Sequence, residues 1–367
     1  MNTNPGKAAP PLAAIAIVIA LSLGACSNPS SSSEDEEVSL SGVLCFGEQE
    51  DGSPCYWDGS TTAVPLGTIG LARNNFVASI ARSGSSAVAA GYYYNSQTYD
   101  YEPRQWEGSE AYALPVGAEA TGGSASRVAA DGGAVYAAGY VATADGHFPA
   151  LWKNRELEAF DLPAGMVGGE HTALAAQDGS LYRAGRYWDE EDVSSLFAVK
   201  DGGAEVKLAL PDGSDGGYVK DIAVSGSAVR YVGYYFLETG SVPCLWDESG
   251  ARTDLSLPPG LTRAWVSAAV FVGDELYIGG YGTNENVATV ARVSLRSFDY
   301  CYWKNGAPEI LEAPAGSSSE SRLVDAQNAH GQAAFIGQIS DSEGDSYYCA
   351  WVGGVPRVIA RAYPQKG

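Results

Sequence analysis

The sequence predicts an all-β chain folded as a β-propeller of about seven four-stranded blades, with one blade incomplete or closed by both ends of the chain. Three observations predict it. A glycine closes a short apolar strand at Gly42, Gly91, Gly139, Gly185, Gly233, Gly280 and Gly337, and an aromatic follows each, at Trp57, Trp106, Trp152, Phe197, Trp246, Trp303 and Trp351. From each aromatic to the next glycine the spacing is 34, 33, 33, 36, 34 and 34 residues. From each glycine to its aromatic it is 15, 15, 13, 12, 13, 23 and 14, so this second segment is a loop that tolerates insertion. A period of roughly 48 residues with no helical periodicity is the signature of propeller blades.

The third repeat shows the four strands. An inner strand runs near Ser126–Ala130 and turns at Asp131-Gly132-Gly133. The glycine strand follows, then the Trp strand Pro149–Lys153, then an outer strand from Glu156 to Leu162. The outer strand ends at Leu162-Pro163, and the ending recurs at Leu114-Pro115, Leu210-Pro211, Leu257-Pro258 and Ala313-Pro314. Proline lacks the N–H that a ladder needs, so it stops the strand. Each small sheet has two apolar faces, which only stacking against neighbours can bury. Six inner strands can be counted against seven glycine strands. Val38–Val43 is expected to be the first glycine strand, in contact with residues 351–362 where the ring closes. The 23-residue spacing places a long loop at Thr283–Phe298, carrying Arg292 and Arg296.

The N-terminus reads as an export signal. One charge, Lys7, precedes an apolar run from Leu12 to Leu23. Twelve helical residues span about 18 Å, too short for a bilayer core of about 30 Å. Leu23-Gly24-Ala25-Cys26 resembles the lipobox of bacterial lipoproteins, which implies cleavage after residue 25 and acylation of Cys26. Residues 26–37 are polar and acidic, an expected disordered tether, and 38–367 form the propeller domain. The Gly-Tyr strands and the Cys-Tyr-Trp-Lys-Asn-Gly turn at Cys301–Gly306 look like the poorly characterised propeller-repeat lipoproteins of bacteria. That resemblance implies the architecture and a place on the exported side of the cell envelope. It carries no activity with it.

The formal net charge of −22 repels nucleic acid, and no nucleic-acid partner is expected. The expected partners are the membrane, through the anchor, and a glycan, a basic peptide or a protein. Cys55, Cys244, Cys301 and Cys349 each precede a Trp by two residues and read as small buried hydrophobes. Cys45 and Cys55 flank one hairpin loop and are a candidate disulfide. Only His147, His171 and His330 are present, and no nucleophile, phosphate-loop or zinc motif appears. No cofactor is expected. Calcium at Asp341-Ser-Glu-Gly-Asp345 has weak support, because one short acidic loop lacks the full ligand pattern.

Two candidate binding regions remain. The Gly-to-Trp loops lie on one face and collect acids with Tyr99, Tyr101 and Trp188. Twelve residues before each glycine stand Ser79, Arg127, Ala173, Asp221, Ala268 and Asp325, with Lys220 beside Asp221. Charges at these inner-strand positions are placed to line a central funnel. The function expected is non-catalytic binding or scaffolding through one axial face. The alternative is an envelope enzyme that acts on a glycan with a carboxylate acid/base pair.

Overall fold

The computed structural model describes residues 40–362 apart from 61, 285–298, 315–316, 342 and 344. The expected signal, Cys26 and the expected tether lie outside the described residues, and so does the expected long loop beyond Asn284, with Arg292 and Arg296. No helix among the described residues is long and apolar enough to cross a membrane.

Seven antiparallel sheets follow one another as blades of a ring, at residues 44–65, 75–113, 120–159, 168–208, 217–254, 263–310 and 317–362. Six are four-stranded in sequential order. Among the described residues the first has three strands, without an inner one. Its glycine strand is Leu44–Glu48, with Gly47 opposite Cys55. This corrects the expectation that Gly42 closes that strand. Gly42 has φ +87° and sits in a turn closed by the Val43 N–H on the Leu40 carbonyl at 3.0 Å. The outer strands are shorter than their proline endings suggest, Glu156–Ala159 for example.

Inner strands carry the feature that shapes the ring. Each of the six has a β-bulge at one level, at Ala78, Ser126, Thr172, Lys220, Ser267 and Val324. A bulge inserts one unpaired residue and re-aims the side chains around it. It also pushes the preceding carbonyl into the neighbouring strand. A Cβ on Gly139 would lie 1.9 Å from the Ser124 carbonyl oxygen, and one on Gly91 would lie 1.8 Å from that of Phe76. Only glycine fits there, so the repeating glycine is a consequence of the bulge.

The Trp side chains join blades. Trp106, Trp152, Trp246, Trp303 and Trp351 are fully buried. Each donates its indole N–H at 2.7–2.8 Å to a carbonyl just past the preceding blade's outer strand, at Gly67, Pro115, Ala209, Ser256 and Glu312 respectively. Two junctions differ. Register places Val199, not Phe197, at the Trp position of blade 4, because Phe197 lies opposite Gly185 and Val199 opposite Arg183. This corrects the assignment of Phe197 to the aromatic series. The junction between blades 3 and 4 is filled instead by His171, edge-on to Phe160 and Phe197, with the Arg183 guanidinium 4.3 Å from the Phe160 ring centre.

At the closing junction Trp57 rests on Tyr348, ring centres 5.3 Å apart. The Gln327 side chain accepts from the Leu44 N–H and donates to the Leu44 carbonyl, both at 2.8 Å. Closure therefore runs through Gln327 and Tyr348 of blade 7, upstream of the expected 351–362 stretch.

The five cysteines among the described residues are free and buried. Cys55, Cys244 and Cys349 each face the repeat glycine of their blade, as Cys301 does. Cys45 lies opposite Trp57 while Cys55 lies opposite Gly47, so the two thiols are offset by two positions and form no disulfide.

Candidate functional site

The bulges and glycines together build an axial channel. The residue after each bulge is the one counted twelve before the glycine, so Ser79, Arg127, Asp221 and Asp325 stand at one level around the axis. A cavity of about 350 Å³ is lined there by Arg127, Lys220, Asp221, Asp325 and Gln327. Above it, on the face of the Gly-to-Trp loops, a wider cavity of about 630 Å³ shares Arg127 and Lys220 as its floor. Phe46, Phe76, Tyr92, Tyr234, Tyr281 and Tyr348 line its wall.

The wall follows from the repeat. The residue after the repeat glycine lines the mouth in five blades, at Glu48, Tyr92, Tyr234, Tyr281 and Gln338, so the recurring Gly-Tyr supplies three of its rings. Tyr92, Tyr234 and Tyr281 each meet a ring on the inner strand, whereas Tyr140 lies opposite Ser124 and stacks on His147 of the Trp strand at 4.2 Å. Phe76 stacks on Tyr92 with ring centres 5.0 Å apart, and Trp265 stacks on Tyr281 at 5.5 Å. In blade 4 the pair is ionic, Arg186 with Glu170 at 2.8 Å, and the Arg186 guanidinium lies 4.2 Å from the Tyr218 ring centre. Burial raises the hydroxyl pKa values of Tyr92, Tyr140, Tyr234 and Tyr348, so these rings stay neutral.

The channel charges are tied to backbone. Arg127 donates to the carbonyls of Ser126 at 2.8 Å and, across the axis, Lys220 at 3.0 Å. Asp221 accepts from the Ile222 N–H and from the Ala269 N–H of the next blade, both at 2.8 Å. Asp325 accepts from the Ala326 N–H at 2.8 Å and the Gln327 amide at 2.6 Å. Both carboxylates are only partly exposed to the channel, with protein packed around them. Burial pushes Asp221 up to about 6. Burial, with Asp221 as a neighbouring like charge, pushes Asp325 up to about 7.

Arg127, Lys220, Asp221 and Asp325 thus come together in one channel. The loop residues do not share a site. Tyr99 is 74% exposed with φ +64° on a hairpin tip of blade 2. Tyr101, on the same hairpin, packs its ring edge-on to Tyr92 at 5.1 Å. Trp188 lies between blades 3 and 4 beside Arg186 and His147. Asp341 accepts the N–H groups of Glu343 and Asp345 at 2.9 Å, and Asp345 pairs with Arg361, so both acids serve their own loop. Among the described residues no three His, Cys, Asp or Glu side chains are grouped to hold a metal ion. The mouth tyrosines were missed as site residues, although the Gly-Tyr repeat already marked them.

No family model matches the chain, and no curated protein matches it. Several solved propellers are similar to it. AofleA from Arthrobotrys oligospora is 12% identical with a TM-score of 0.46, covering 78% of this chain and 86% of its own. The fucose-recognising lectin of Aleuria aurantia, a six-bladed propeller, is 11% identical with a TM-score of 0.42, covering 80% of this chain and 97% of its own. A Trypanosoma rangeli sialidase is 10% identical with a TM-score of 0.46, covering 84% of this chain and 58% of its own. At these identities the likeness is one of fold.

Proposed function

We propose that the protein is a recognition module of the bacterial cell envelope, anchored to the membrane by acylation at Cys26, that takes its ligand into the axial mouth of the propeller. One observation carries the reading. The aromatic after the repeat glycine converges from several blades on a single mouth, with Arg127 and Lys220 at its floor. Partly buried aromatic faces ringed by polar groups are what binding sites are built from, and here rigid strands hold them. Flat faces of this kind suit a glycan or a peptide. Both oxygens of Asp221 and of Asp325 already accept hydrogen bonds from the protein. That favours binding over acid/base chemistry.

The test is a ligand screen against the acylated full-length protein. Tyr92→Ala, Tyr234→Ala and Tyr281→Ala together should abolish the binding it finds, while alanine at Tyr99, Tyr101 and Trp188 should leave it. The reverse result would move the site to the loops. Turnover of any screened glycan would replace the module with the enzyme alternative. Cys26→Ala should release the protein from the membrane fraction, and continued partitioning would refute the anchor.

A further inference from the structure

Charge along the axis is layered. The mouth cavity of about 630 Å³ has three charged residues in its lining, Glu48, Arg127 and Lys220, whereas Asp221 and Asp325 line only the cavity beneath it. A ligand that enters from the mouth therefore passes the aromatic wall and meets the two cations before either aspartate. The chain carries 44 acidic and 22 basic residues, so a mouth in which two of three charged residues are basic runs against its composition.

Neither position needs a cation to build the ring. Lys220 is the bulge residue of blade 5, and the bulge residues Ala78, Ser267 and Val324 of blades 2, 6 and 7 line the same two cavities. The residue after the bulge is Arg127 in blade 3, where blades 4 and 6 have Ala173 and Ala268. The hydrogen-bond partners of the Arg127 guanidinium are the carbonyls of Ser126 and Lys220, which hold it in place without cancelling its charge. Arg127 and Lys220 both have Asp221 as an electrostatic neighbour. Yet the oxygens of Asp221 take backbone N–H groups, and those of Asp325 take the Ala326 N–H and the Gln327 amide. Burial also pushes both carboxyls toward their neutral form.

We infer that the ligand of the mouth is an acidic glycan, whose carboxylate or sulfate is received by Arg127 and Lys220 while the face of the sugar lies on the tyrosine wall. This rests on the axial reading of function and names its ligand class. Two nitrogens of the Arg127 fork are committed to carbonyls, and the guanidinium has further N–H donors for an acidic oxygen. Hydrogen bonds between ionised partners are about twice as strong as neutral ones. Tyr92, Tyr234 and Tyr348 stay neutral, so the wall sets no phenolate against an anion. In an acidic sugar the charge and an apolar face belong to one rigid ring. That matches cations set directly beneath aromatic rings which Phe76, Tyr218 and Trp265 hold in place. An acidic peptide side chain has no such face.

A glycan array followed by calorimetry tests it on the acylated full-length protein in detergent. The array carries oligosaccharides ending in glucuronate, galacturonate or sulfated galactose, each beside its neutral methyl ester or unsulfated form, with tetraglutamate as an acidic peptide. Acidic glycans should bind, and the carboxylate and sulfate arms show which acid the floor takes. The neutral form of each hit should bind at least about tenfold more weakly, since it loses the charge-assisted hydrogen bonds. Lys220→Met should cut the preference for the acidic form by about fivefold or more. The comparison of acid with neutral form on the wild type needs no variant, so it decides the matter even where a substitution harms folding. Equal binding of the two forms overturns the inference. So does the absence of binding by every acidic glycan, or tetraglutamate binding as tightly as the best of them. If neutral sugars bind and depend on Tyr92, Tyr234 and Tyr281, the axial site stands and only the acidic class falls. If an acidic glycan binds but withstands alanine at those three tyrosines, the axial reading falls with it.

Discussion

His171 offers the sharpest test of how the ring is packed. It is 2% exposed, and neither ring nitrogen has a hydrogen-bond partner. Burial, with the nearby Arg183 charge, pushes its pKa from the ordinary 6.5 down to about 3. Between those values the unfolded chain binds a proton that the folded chain refuses. The stability this residue contributes is therefore fully present above pH 6.5 and lost as pH falls toward 3. At pH 5 the cost relative to pH 7 is about 2 kcal/mol, from 1.36 kcal/mol per pKa unit over about one and a half units. Asp221 and Asp325 work in the opposite direction, since their folded values are raised to about 6 and about 7. Total stability can therefore look flat, and a difference measurement is needed. His171→Leu removes only the histidine contribution. Urea denaturation of both proteins from pH 7 to pH 5 should show the variant gaining about 2 kcal/mol on the wild type over that range. Parallel pH profiles would refute a neutral, unpartnered imidazole at this junction.

Trp152→Phe should cost about 2–3 kcal/mol in urea melts, because it strands the Pro115 carbonyl and leaves a cavity between blades. A cost near zero would mean that the indole bridge does not hold the blades. Cys45, Cys55 and Cys349 should resist alkylation in the native state, since burial raises all three thiol pKa values. Mass spectrometry after denaturation should find every one of them reduced. Carbon-detected NMR should place the Asp325 carboxyl midpoint well above the usual carboxylate range, with Asp221 below it. An ordinary value for Asp325 would mean that the channel is far wetter than the structure has it.

Much of the ring was legible because its repeat has a physical cause. Six of the seven repeat glycines were found by spacing alone, since the bulge tolerates no side chain opposite it. The first was misplaced on Gly42, and among the described residues no inner strand lies beside Gly47 to impose that constraint. Gly47 instead meets the Tyr348 ring, 2.4 Å from where its Cβ would stand. Phe197 was misread for the opposite reason. An aromatic is buried there, but register puts it two positions early, and the outlying 36-residue spacing was the trace of it. Counted from Val199 that spacing is 34, like its neighbours. The charged channel residues were found by the same counting. The mouth was not, because a tyrosine after a glycine reads as a strand residue until the bulge shows which way it points.

The bulge therefore links architecture and site more tightly than the loops do. It pins each inner strand at one level, forces glycine on the neighbouring strand, and turns the next side chain on that strand toward the axis. Loop lengths change from blade to blade without moving any of these positions. A substitution in a loop tip such as Tyr99 alters one exposed surface. A side chain added at Gly91 or Gly233 would meet a backbone oxygen at under 2 Å and displace the bulge itself. The mouth aromatics and the channel charges would move with it. Changes at the repeat glycines should thus remove ligand binding and ring stability together, whereas alanine at Tyr92, Tyr234 and Tyr281 should remove binding while the blades stay in place.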